Sequence, residues 1–333
     1  MYMKIEYTFA ILLFIVLFLL YSKKKFIGGY LKNKLLKYLH KNNIPVNTAE
    51  KTFYYKGKNI NYELQYLNNN TSCYNLNNKV FIKYILKQHN YPAINYILVN
   101  KKLNKDKIQN SINKYNLQFP VVLKPINGQF GNNIKMDIPN IDVLYETLNS
   151  NENKSNKNNY NEFLVEEQQE GVRMRILVIK NEIDYIAITD KPFIIGDGIN
   201  TIENLLIIEN NKRKKKIVPD YDMLNRNNIN KDTVLEKDKK IIVNSVSNTK
   251  QGSNVLQIIK DPKKINEFFH IDNINMFKNI NKIFDTKING IDFITTNPKK
   301  SYKDGFGYIL ELNCGPDTAH STIKNTLFDK LYT

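Results

Sequence analysis

Tryptophan is absent from this 333-residue chain, and cysteine, arginine, proline and glycine are all scarce. Ten Pro and 13 Gly exclude a collagen-like or Gly-rich low-complexity chain. The 2 cysteines, Cys73 and Cys314, lie far apart in sequence with no CxxC or His/Cys cluster, which excludes a disulfide framework and a zinc ribbon. A reducing compartment is the simplest reading of so few thiols. Acidic residues are also short: 32 Asp and Glu face 49 Lys and Arg, a net charge of +17, so nucleic acid and anionic membrane are the first partners to weigh. Only 4 of those 49 are arginine, while the chain holds 51 asparagines. Lysine and asparagine are inflated together, as an AT-rich coding sequence would produce, and solvated lysines are the plainer account of the excess. Rarity makes arginine informative, and two of the four, Arg173 and Arg175, are neighbours on one segment. What is present is ample for folding: 42% apolar and 11% aromatic residues can build one large domain or two ordinary ones.

The longest uncharged apolar stretch runs from Thr8 to Tyr21 and is followed at once by Lys23, Lys24 and Lys25. As a helix it would span about 21 Å, short of a bilayer core. A cleavable signal places its charge before the apolar core and small residues after it, the reverse of this order. Snorkelling lysines and interfacial tyrosines extend a short span, so the stretch reads as an uncleaved membrane anchor. The positive-inside rule then leaves the N-terminus outside and the bulk of the chain in the cytosol. Residues 1–25 are thus the anchor, and 26–78 a linker with a small N-terminal subdomain. Residues 79–333 are the main domain, in which predicted strands and helices alternate as in α/β or α+β construction.

Chemistry concentrates at two places. Lys124 ends an apolar strand (VVLKP) and is followed by a loop with Gly128 and Gly131, a setting in which a point charge and backbone N–H groups can meet phosphate. Near the other end, Asp292 in GIDFI and Glu311 and Asn313 in ILELN place three oxygen side chains at or beside strands. Glu311 and Asn313 share a face, and a carboxylate in an apolar strand needs a reason, which Mg²⁺ ligation supplies. The run Lys212–Lys216 reads as a solvated turn.

These segments, taken in order, resemble the ATP-grasp superfamily, most closely the ligases typified by cyanophycin synthetase, the fused glutathione synthetases and D-alanine:D-alanine ligase. Lys79, Lys83 and Pro92 keep the spacing of the first ATP lysine; PVVLKPINGQFG matches the second lysine and the phosphate-covering loop; FLVEEQQEGVRMR looks like the adenine hinge followed by the arginine at Arg175. IIGDGINTIENLL with Arg213 resembles the cyanophycin and glutathione synthetase branch, and ILELNCGPDTAHS the metal and substrate end. Departures are Arg173 where an acidic ribose ligand is usual, Asn132-Asn133 at the last loop glycine, and Lys250 as the nearest cation where an arginine is expected.

The resemblance implies an α+β ATP-grasp fold, two subdomains clasping ATP, behind an N-terminal transmembrane helix. It implies an ADP-forming ligase that joins a carboxylate to an amine through an acyl phosphate, with ATP and Mg²⁺ (or Mn²⁺) as cofactors. Lys79, Lys124, Gly128, Gly131, Glu166, Glu167 and Arg175 would hold nucleotide, Lys124 and Arg175 being catalytic. Asp292, Glu311 and Asn313 would hold metal, and Gly315 and Ser321 substrate. Partners would be small-molecule or peptide substrates and the membrane, with oligomeric state open, a homodimer included. The alternatives are a catalytically reduced nucleotide-binding relative and, further off, a basic membrane- or nucleic-acid-associated protein.

Overall fold

The computed structural model describes residues 36, 39–40, 43–50, 52–55, 58–61, 75–76, 78–126, 133–150, 161–314 and 316. The apolar run and its lysines, Gly128, Gly131, Gly315, Ser321 and most of 26–78 lie outside them.

A small antiparallel meander, β1 (Val46–Asn47), β2 (Thr52–Tyr55) and β3 (Lys58–Asn61), precedes the main body. Helix α1 (Lys79–Gln88) begins at Asn78, whose side chain accepts the N–H groups of Val80 and Phe81. Its buried residues are Ile82, Lys83 and Leu86, so helical spacing sets a lysine inside the apolar stripe.

The first sheet holds β4 (Tyr96–Asn100), β5 (Val121–Pro125), β6 (Lys135–Ile138) and β7 (Glu162–Glu167) in the order β4-β7-β5-β6. Helices α2 (Lys105–Lys114) and α3 (Ile141–Asn149) bury Ile108, Ile112, Leu144 and Leu148 against its Val99, Leu123 and Val165.

The second sheet holds β8 (Val172–Ile179) and β9 (Glu182–Thr189), followed in sequence by an excursion. In that excursion β10 (Phe193–Ile195), α4 (Ile202–Asn211), α5 (Tyr221–Arg226) and β11 (Lys240–Ile242) surround a core of their own, including Ile194, Ile202, Leu224 and Val243. The excursion reaches back to the first sheet through Lys135–Asp222 at 2.9 Å, Arg226 donating to the Met136 carbonyl at 3.2 Å, and the Ser245 hydroxyl donating to Asp137. The chain then adds β12 (Val255–Ile259), α6 (Pro262–Phe268), α7 (Ile271–Ile283), β13 (Ile288–Thr295) and β14 (Gly307–Asn313), completing the antiparallel order β12-β9-β8-β13-β14.

Alternation gives this sheet two faces. Met174, Ile176, Val178, Ile291 and Phe293 form one core with Ile274, Phe277 and Ile280 of α7. The opposite face is divided: Leu177, Ile179, Tyr185 and Ile288 pack with Leu39 and Phe53, whereas Arg173, Arg175, Asp292 and Glu311 occupy the other end. Helix α7 starts at Ile271, capped by the His270 side chain, which accepts from the Asp272 N–H. Its first turn carries buried Asn273, which donates to the Pro298 and Lys300 carbonyls in place of an apolar contact. Cys314, just after β14, is buried and disulfide-bonded, which corrects the reading of a thiol kept reduced.

Candidate functional site

Three strands align the site. Antiparallel pairing sets Arg175 of β8 opposite Asp292 of β13, and Asp292 opposite Glu311 of β14, a row of alternating charge across the sheet. Asp292 is 1% exposed, an untenable place for a lone carboxylate, and guanidinium groups meet both of its oxygens. Arg173 Nη2 lies 2.7 Å and Arg175 Nη2 3.0 Å from Oδ2, while Arg175 Nε donates to Oδ1. Burial by itself would raise the Asp292 carboxyl; Arg173 and Arg175 outweigh it and hold the group below its ordinary value. Burial acts against the Arg175 charge too, and Asp292 and then Glu311 raise it above its ordinary value. Gly290 is required beside this row: a Cβ there would come within 3.1 Å of Arg175 Nη1 and 2.7 Å of Pro316 Cβ. Asn313, paired with Gly290, uses its side-chain nitrogen on the Gly290 carbonyl at 3.2 Å.

The second cluster sits between α1 and the first sheet. Glu166 of β7 is 2% exposed and is met by Lys124 of β5 at 2.6 Å and Lys83 of α1 at 3.1 Å. The Lys83 contact is an ion pair without hydrogen-bond alignment, and the Lys83 ammonium also lies 5.7 Å from the Tyr96 ring centroid. Burial, against the pull of Glu166 and with Lys124 adding to it, lowers Lys83 from 10.5 to about 8. Burial would raise Glu166, but Lys124 and Lys83 hold it low.

Lys79 joins the two clusters. One helical turn before Lys83, it donates to the Ile126 carbonyl at the end of β5 at 3.3 Å and stands 3.6 Å from Glu311 of β14. Burial lowers its ammonium despite Glu311.

Among the expected site residues, the fold thus assembles Lys79, Lys124, Glu166, Arg175, Asp292, Glu311 and Asn313 along one seam between the sheets. It does not bring in Glu167, which alternation turns to the opposite face of β7, where it accepts from the Gln118 N–H at 3.3 Å. Two participants absent from that set are Lys83 and Arg173. A lysine inside the apolar stripe of α1 was the signal for the first; the two-residue spacing from Arg175 was the signal for the second. Arg213 is a brace: it donates to the Gly252 carbonyl and, at 2.9 Å, to Asn254 Oδ1.

Carboxylate and amide oxygens at Asp292, Glu311 and Asn313 are chemically suited to a hard divalent cation. In this arrangement both carboxylates already carry cationic protein partners, and the described residues contain no cluster of three or more His, Cys, Asp or Glu side chains that could hold a metal. The donor set fits Mg²⁺ in kind, provided the arginines and Lys79 transfer to an incoming anion.

Residues 77–188 match the model of the RimK-like ATP-grasp domain. Cyanophycin synthetase from Synechocystis is 26% identical over 212 residues, which cover 60% of this chain and 23% of that protein. Alpha-aminoadipate–LysW ligase LysX from Saccharolobus solfataricus is 34% identical over 92 residues, 27% of this chain and 31% of that protein. The chain therefore spans only about a quarter to a third of these curated relatives. Among solved structures, the bifunctional glutathione synthetase from Pasteurella multocida superimposes with a TM-score of 0.53 at 16% identity, covering 91% of this chain and 43% of that one. Residues 77–188 are thus similar to a RimK-like ATP-grasp domain, and the chain shares the fold of that glutathione synthetase, two α+β bodies meeting along a seam of lysine, arginine and carboxylate.

Proposed function

We propose that the protein is a membrane-anchored, ADP-forming ligase that uses ATP and Mg²⁺ to activate a carboxylate, on an amino acid or peptide, as an acyl phosphate and couples it to an amine. The observation that carries this reading is the seam itself: Lys79 reaches from the end of β5 to Glu311, which lies in register with Asp292 and Arg175. Lys79 and Lys124 neutralise phosphate oxygens, and the segment containing Gly128 and Gly131 covers them and excludes water. Arg175 stabilises charge developing on the transferred phosphoryl group. Asp292, Glu311 and Asn313 are the residues that would hold Mg²⁺, which supplies charge neutralisation at the phosphates. Gly315 and Ser321 orient the acceptor. Because each carboxylate already has a cationic partner, Lys79, Arg173 and Arg175 would turn to phosphate oxygens, leaving Asp292 and Glu311 to hold a divalent cation. Such an exchange buries no new net charge on the protein side.

The test is an ADP-release screen with amino acids, short peptides and polyamines. ADP formation that needs both a carboxylate and an amine supports the reading. A second reading, a nucleotide-binding protein with reduced catalysis, draws on the double arginine clamp on Asp292, and it predicts Mg-ATP binding without ADP release under any pairing.

The anchor is supported by the uncharged Thr8–Tyr21 run and its basic edge. No helix among the described residues is long and apolar enough to cross a membrane. Full-length protein should sediment with membranes and a chain lacking residues 1–25 should not; recovery of full-length protein in the soluble fraction contradicts the anchor.

A further inference from the structure

Helix α4 packs Ile202, Leu205 and Leu206 inward. Helical spacing then sets Asn204, Ile207, Ile208 and Asn211 on the outward face, where Ile207 is 54% and Ile208 42% exposed. This face carries no acidic residue, and the nearby acids are already engaged, Glu209 with Arg213 at 3.5 Å and Glu203 with Lys231 at 3.6 Å.

The helix runs directly into Lys212–Lys216, where all four lysines are exposed, and then to exposed Val218. Cations in a last helical turn complement the backbone dipole. Lys214 and Lys215 lie beyond that turn, so the dipole does not account for them. Positive charge is concentrated further by the loop packed against this segment: Val218 N–H donates to the Gln251 carbonyl at 3.1 Å, and burial and then Lys215 push the Lys250 ammonium below its ordinary value. Exposed aliphatic side chains are also concentrated in this excursion, which contributes Ile195, Ile199, Ile207, Ile208, Val218 and Val234. Exposed aliphatic side chains of α4 followed directly by Lys212, Lys214 and Lys215, which pair with no acidic residue among the described residues, complement one kind of partner, a sheet of negative charge overlying hydrocarbon.

We infer that the outward face of α4 with Lys212, Lys214 and Lys215 is a docking surface for an anionic lipid headgroup layer, a second membrane contact made by the folded domain. The inference rests on the proposed anchor for proximity: with Thr8–Tyr21 in a bilayer, this domain is held within reach of the headgroups. The surface is independent of the ligase reading, which ADP release tests separately.

The experiment is hydrogen exchange on the full chain reconstituted in phosphatidylcholine vesicles and in vesicles with about 30% phosphatidylserine, where amides of residues 204–218 should exchange at least about fivefold slower. Lys212→Glu with Lys214→Glu and Lys215→Glu should abolish that difference, and Ile207→Ser with Ile208→Ser should reduce it. Co-flotation with both vesicle types reports the anchor and is unaffected by these surface variants. Equal exchange on the two lipid compositions overturns the inference. So does slowing of the same amides by single-stranded RNA without vesicles, which would assign the surface to nucleic acid.

Discussion

The two halves of the seam solve the same electrostatic problem with different chemistry. In the α1–first-sheet cluster one buried carboxylate, Glu166, serves two lysines; in the second sheet one buried carboxylate, Asp292, serves two arginines. Lysine is a point charge whose proton burial can strip, so the first cluster is tunable by pH. Arginine keeps its charge and offers a planar fork, so the second is fixed in charge and specific in geometry. The lysine cluster is also the drier one: the side chains of Lys83 and Lys124 are 3% and 9% exposed, against 20% and 27% for Arg173 and Arg175.

The largest contrast should appear on removing each carboxylate. Glu166→Ala leaves two buried ammonium groups unpaired and should lower unfolding free energy by about 3–5 kcal/mol. Asp292→Asn leaves arginines that can turn toward water and should cost about 2 kcal/mol. Urea unfolding of both variants checks the order, and an equal loss would erase the distinction.

The pH dependence sharpens it further. The folded Lys83 value of about 8 lies below its ordinary 10.5, so between these values the unfolded chain holds a proton that the folded chain has released. Unfolding free energy should therefore rise with pH through this window, by roughly 1–3 kcal/mol from this group. Lys83→Met should flatten the rise; identical slopes for variant and parent contradict the assignment. The arginine row should show no such slope, because its guanidinium groups do not titrate there.

Arg175→Lys keeps the charge and loses the fork. It should cut kcat at least about tenfold, roughly 1.4 kcal/mol of transition-state stabilisation, with little change in ATP affinity. Arg173→Lys should alter ATP binding or nothing. The reverse pattern would exchange the two roles.

The smallest structural effect belongs to Glu311, whose partner Lys79 stands 3.6 Å away and whose side chain is 34% exposed. Glu311→Ala should shift stability within about 0.5 kcal/mol yet abolish ADP formation. Undiminished turnover would remove Glu311 from the metal site.

The difference between the halves also explains what the sequence made legible. Strands such as β5 and β8 and helix α1 lie where apolar runs and spacing place them, because burial on one face writes a local pattern. The facing of Arg175 and Asp292 is a register between strands 117 residues apart in sequence, and no local pattern encodes it. Glu166 and Glu167 look alike in the sequence, yet strand alternation makes one the centre of a buried cluster and the other a bystander. Lys83 was marked by its spacing from Lys79, but its role as a buried partner of Glu166 was not, because among so many lysines only the apolar neighbours Ile82 and Leu86 signal its burial.

The central claim is that these two clusters form one nucleotide site whose internal ion pairs are exchanged for phosphate and metal. Titration calorimetry of the full chain with ATP, with and without Mg²⁺, tests it most directly. The account predicts a single Mg²⁺-dependent site that is lost in Lys124→Ala and whose affinity changes little between low and moderate salt. Absence of binding, or binding that survives Lys124→Ala and collapses with salt as counterion-driven association does, would contradict it.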